Sequence, residues 1–132
     1  MKIESRVRAL KVAAAITIGF GIVPTVFLLE LVIPQLNGES MSASSIRLLA
    51  AISGGVLTGW GLMIWLVASE ILANHPILAR RLILPSIVTW FIIDSSMSVA
   101  AGAPLNAFLN LGFLLMFTLP ILGSESARAE AA

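Results

Sequence analysis

Residues 82–100 read LILPSIVTWFIIDSSMSVA, and after Ala101, Gly102 and Ala103 the chain resumes over 104–122 as PLNAFLNLGFLLMFTLPIL. Asp94 is the one charged side chain in the whole stretch. The hydrocarbon core of a bilayer is about 30 Å thick, and a helix needs about 20 mostly apolar residues to cross it. Both runs have that length. Neither has the polar stripe that a water-facing helix carries. In lipid every backbone polar group must find its partner inside the structure, which leaves helices and closed barrels as the spanning forms. The pair therefore reads as two transmembrane helices. Pro104 suits the first turn of the second helix, where its missing N–H is not needed, and the short connection makes the two antiparallel neighbours.

The same reading extends towards the N-terminus. No charge occurs from Val12 to Leu29 or from Leu48 to Ser69. Of the 132 residues, 58% are hydrophobic and 11% are charged, against about 25% charge in an ordinary soluble domain. We expect one all-α transmembrane domain with spans at about 10–36, 46–73, 82–100 and 104–122, arranged as an up-down-up-down four-helix bundle. Pro24 predicts a kink in the first span. The loop at 37–45 is rich in Asn, Gly and Ser. The tail from Gly123 is polar and expected to fray.

Lys2, Arg6, Arg8 and Lys11 precede the first apolar run and resemble the basic start of a signal peptide. The run is too long for a cleaved leader, whose apolar core is about 7–15 residues, so an uncleaved span is expected. With four spans these residues share one side with Arg80, Arg81 and Arg128, and Arg47 stands alone on the other. Basic residues stay in the cytoplasm, so both termini are expected there. The partner is the lipid bilayer, and the sequence leaves room for a homo-oligomer or a larger membrane complex. No basic cluster of the kind that binds nucleic acid is present.

The chain has no cysteine and one histidine, His75. Disulfides, thiolate chemistry and cysteine-ligated metal are excluded, as are two-histidine metal or haem sites within one chain. No cofactor and no metal site is expected. His75 reads as a solvated residue of the loop 74–81.

Polar residues inside the apolar runs are the candidate site. Asp94 falls about 10 Å from the outer edge of its span at 1.5 Å per residue. Ser98 lies one turn further out, and Trp90 one turn further in. Asn110 falls about 9 Å inside the outer edge of the last span, with Asn106 one turn above it and Phe113 and Phe117 below. Ser53 lies at similar depth, and Glu30 and Arg47 fall near the outer boundary, where they either pair or serve as anchors. An acidic side chain at such depth costs roughly 3 kcal/mol on insertion scales and faces the bundle rather than lipid. Two readings of Asp94 stand side by side. One is an interhelical hydrogen bond to Asn110 and the nearby serines; the other is an ion-linked or ligand-binding group. The Asn106–Asn110 face reads either as ordinary packing or as a small amphipathic pocket. Gly55 and Gly59 form a small-xxx-small pattern suited to close helix packing. Trp60, Trp65 and Trp90 read as bulk in the core, and for Trp90 the alternative is a contact with Asp94, direct or through water, that makes it part of the candidate site.

In size, in its four spans, in the proline of the first span and in Gly54–Gly55…Gly59–Trp60–Gly61, the chain resembles the small bacterial DoxX-like membrane proteins. The resemblance implies an inner membrane protein and transfers no site residue. Enzymatic chemistry is poorly supplied. Aspartyl hydrolysis needs two carboxyls that share a proton, and serine chemistry needs a base beside the nucleophile. No such partner accompanies Asp94 or Ser95, Ser96 and Ser98 at that depth. The function expected is that of a non-enzymatic accessory subunit or a binder of a lipid or small apolar ligand. The alternative is a small proton- or cation-linked transporter or channel that acts as an oligomer through Asp94.

Overall fold

The computed structural model describes residues 2–23 and 43–122. The sequence of elements is α1 (Ile3–Val23), α2 (Ala43–Leu66) running on into a π-helical turn (Val67–Ile71), α3 (Pro76–Ala100) and α4 (Pro104–Leu122). Three of these stretches, Ser44–Ile71, Pro76–Ala100 and Pro104–Leu122, are long and apolar enough to cross a membrane. The expected span 10–36 is described as far as Val23. Pro24, Glu30, the loop residues 37–42 and the tail from Gly123 lie outside the described residues.

The largest departure from expectation is the start of α3. Residues 76–81, read as loop, are its first turns. His75 has non-helical backbone angles (φ −131°, ψ 64°), and Pro76 takes the first helical position, where a residue with no N–H loses nothing. His75 is exposed, and its carbonyl accepts the Ala79 N–H at 3.0 Å. With 25 residues, α3 is about 38 Å long and overreaches the hydrocarbon core. Its first turns can therefore carry Arg80 and Arg81 without placing them in lipid.

The other end of α3 explains the turn. Gly102 has φ +78°, the left-handed conformation that side chains with a Cβ resist. Its N–H bonds the Val99 carbonyl at 3.0 Å, and the Ala103 N–H bonds the Ser98 carbonyl at 2.8 Å. This is the Schellman closure of a helix C-terminus. Pro104 then opens α4. The result is an antiparallel hairpin with Gly102 at its centre.

The chain falls into two compact units, Ala14–Trp65 and Met1–Ala13 together with Leu66–Ala132. In the first, α1 and α2 approach closely through small residues. A Cβ added at Gly61 would lie 3.0 Å from the Ala14 carbonyl oxygen and 2.8 Å from Ile18 Cγ1. A Cβ at Gly21 would meet the backbone of Gly54 and Thr58. The glycines singled out from the sequence, Gly55 and Gly59, sit on another face: among the described residues a Cβ at either would meet nothing within 4 Å. Successive helical residues are about 100° apart, so a shift of one position is enough to turn Gly54 inward and Gly55 outward. Thr58 returns its hydroxyl to the Gly54 carbonyl at 2.8 Å, which satisfies the hydroxyl locally.

In the second unit, Ile83 and Ile87 of α3, Phe117 and Ile121 of α4 and Leu10 of α1 are buried. The outward surface is at least as apolar. Leu105 and Phe108 on α4 are 69% and 70% exposed, while Asn110 and Thr118 on the same helix are buried. A soluble bundle shows the opposite distribution; lipid accounts for it, because apolar side chains gain nothing there by turning inward.

Candidate functional site

The hairpin places residues equidistant from Gly102 opposite one another: 94 and 110 are each eight positions away, 98 and 106 each four. Their side chains meet. The Asn110 amide nitrogen Nδ2 donates to Asp94 Oδ2 and to Ser95 Oγ at 3.2 Å. The Asn106 Nδ2 donates to the same Asp94 Oδ2 at 3.1 Å and to Ser98 Oγ at 2.8 Å. One carboxyl oxygen thus takes an N–H from two amides a helical turn apart. Asn110 is 5% exposed, Asp94, Ser95 and Ser98 are half-buried, and Asn106 is exposed. Because a carboxyl oxygen only accepts when ionised while an amide nitrogen only donates, the pattern also sets the orientation of both amides.

Asp94 has a second environment. With Ser86, Thr89, Trp90, Ile93 and Met97 it lines an open groove of about 500 Å³ along one face of α3. These positions repeat at three and four residues, the spacing of a single helical face. Trp90 packs edge-on against Phe113 of α4, with ring centroids 6.2 Å apart and planes at 65°, an arrangement aromatic pairs favour. Trp90 is therefore anchored from the α4 side while it forms part of the groove wall. Ser86 donates its hydroxyl to the Leu82 carbonyl at 2.8 Å, one turn back, beside Pro85, which lacks an N–H for the ladder.

Of the residues read as site candidates, the hairpin joins Asp94, Asn106, Asn110 and Ser98 by hydrogen bonds and brings Trp90 to the same groove as Asp94. Arg47 is exposed on α2, within the other compact unit. Glu30 lies outside the described residues. Among the described residues no group of three or more His, Cys, Asp or Glu side chains is placed to hold a metal ion.

One residue escaped the sequence reading. Arg6 is only 4% exposed. Its Nε donates to the Pro120 carbonyl at 2.6 Å and an Nη to the Ile121 carbonyl at 3.0 Å. Both acceptors lie in the last turn of α4, where carbonyls have no intrahelical partner and the helix dipole favours a cation. Burial lowers the pKa of the guanidinium, which nevertheless stays charged because arginine starts so high. The signal was present: Arg6 lies on the same face as Leu10, Ala13, Thr17 and Gly21, all buried in α1. A basic residue near an N-terminus is ordinarily read as a cytoplasmic anchor, and that reading hid it.

No protein-family model matches the chain, and no curated protein or solved structure is similar to it.

Proposed function

We propose that this is a non-enzymatic, multi-pass protein of a bacterial-type inner membrane that binds a lipid or small apolar ligand in the groove of α3. The observation that carries the reading is the position of Asp94. Two amides hold its carboxyl on one side while it lines a groove shared with Trp90, Ile93 and Met97 and, further along, with Ser86 and Thr89. The groove volume falls within the range of about 300–1,000 Å³ common for ligand sites. Few polar groups fixed in an apolar wall are what such sites use for orientation.

Gentle extraction from the native membrane followed by native mass spectrometry tests it. A small molecule is retained by the wild type and lost when Ile93 and Met97, exposed in the groove wall, are both changed to Ala. Retention of another protein chain in place of a small molecule would make it an accessory subunit. A bare homodimer whose Asp94→Asn variant loses ion flux would instead favour the transporter.

The up-down-up-down arrangement with cytoplasmic termini belongs to the same proposal. Its support is Arg6, which ties the start of α1 to the end of α4 and so brings the first and last helices together at one end, as an even number of crossings requires. The chain has no cysteine, so single substitutions report topology without background. From the outer side, a membrane-impermeant maleimide is expected to label Ala103→Cys and to spare Ser5→Cys. The opposite pattern reverses the orientation, and labelling of both ends from one side defeats the even number of spans.

A further inference from the structure

Resting on the ligand-binding reading above, we propose that the ligand of the α3 groove is a single-chain organic ammonium: a cationic nitrogen head at Asp94 and an apolar body lying towards Ser86. Four features point to this chemistry.

The first is charge. Among the described residues Asp94 is the one ionisable side chain in the groove wall, and no lysine, arginine or histidine lines it. An anionic head would meet a carboxylate and no cation, which is unfavourable where the dielectric is low. A cationic head meets its complement.

The second is hydrogen-bond capacity. Asp94 Oδ2 is occupied by Asn106 and Asn110. Asp94 Oδ1 takes no hydrogen bond among the described residues. The two amides hold the carboxyl in place, so the free oxygen needs little reordering to accept a ligand N–H. Ammonium is a donor with no acceptor capacity, the match for a site that offers acceptors.

The third is the aromatic wall. Trp90 stands one turn from Asp94 in the same groove and is held by Phe113. An indole beside a carboxylate attracts an ammonium by its ring quadrupole, and does so more strongly in a desolvated setting.

The fourth is depth and direction. Asp94 is six residues from the end of α3, about 9 Å along the axis. The first turns of α3, with Arg80 and Arg81, take up its excess over the hydrocarbon core, so the carboxyl lies about 9 Å below the outer boundary. From Asp94 to Ser86 the groove continues inward for eight residues, about 12 Å, past Ile93, Trp90 and Thr89. A head attached directly to one chain fits that path. A phospholipid would have to sink its phosphate below the boundary to bring an amine to Asp94.

The test uses the full chain in neutral maltoside micelles, titrated with three probes that share a dodecyl chain: dodecylammonium, dodecanol and dodecanoate. Native mass spectrometry reads the bound fraction. Dodecylammonium is expected to bind at least about tenfold more tightly than the other two, with that preference lost in Asp94→Asn, as follows from removal of a charge-assisted contact. Met97→Lys keeps Asp94 and its amide partners and adds a cation one turn away on an exposed position. It is expected to reverse the order in favour of dodecanoate, and it decides the matter should Asp94→Asn fail to fold. Equal binding of all three probes, or an order unmoved by Met97→Lys, overturns the ammonium assignment and leaves the groove as a binder of apolar chains. Binding of none above the micelle background overturns the ligand-binding reading as well.

Discussion

Arg6→Ala is expected to destabilise the protein by about 3 kcal/mol, the scale of two hydrogen bonds made by a charged donor at about 1.5–3 kcal/mol each, reduced by water reaching the helix end. The guanidinium serves two carbonyls of α4 at once, Pro120 and Ile121, and it does so while nearly fully buried. Alanine leaves both acceptors without that donor and empties the space the side chain filled. Arg6→Lys restores the charge but not the planar fork, so it is expected to recover only part of the loss. Arg8→Ala removes an equal charge from an exposed position two residues away and serves as the control for net charge. Unfolding followed by far-ultraviolet circular dichroism in micelles gives the comparison. If Arg6→Ala and Arg8→Ala unfold together, the clamp carries no weight.

Gly21→Val is expected to cost about as much, by a different route. Its first added atom would lie 2.6 Å from the Gly54 carbonyl oxygen and 2.8 Å from the Thr58 backbone nitrogen, and would also press on Thr58 Oγ1. The hydroxyl can rotate; the two backbone atoms cannot. Relief requires α1 and α2 to separate, and overpacking of this kind costs typically 1–3 kcal/mol and sometimes more. In a membrane the loss falls on close van der Waals contact, the main attraction between helices there. Gly55→Val is the matched control, since among the described residues its Cβ meets nothing within 4 Å. It is expected to change the unfolding midpoint by little more than the difference in helix propensity, a few tenths of a kcal/mol. A larger loss at Gly55 than at Gly21 would place the packing face of α2 on the side read from the sequence alone.

Much of the hairpin was legible before any coordinates. A three-residue connection centred on a glycine fixes which residues stand opposite, so Asp94 and Asn110 could be paired by counting. The groove was not legible, because its wall depends on how far Trp90 is drawn towards Phe113 and on what leaves Ile93 and Met97 uncovered. Nor was the start of α3. Two arginines and a proline read as a loop, yet proline at the first helical position and charges beyond the hydrocarbon core are both compatible with helix.

The sequence by itself determined that the chain is helical and has segments able to cross a membrane. Those properties depend on the length of apolar runs and the placement of charges, which are quantities along one dimension. The tertiary structure decided which side of each helix faces inward. It chose Gly54, Thr58 and Gly61 over Gly55 and Gly59, and it took Arg6 from the surface to the end of α4. Helices that are apolar on every side carry no polar stripe to declare their inner face. In lipid that face is selected by fit and by the few polar groups that must find partners, and both exist only once the helices have met.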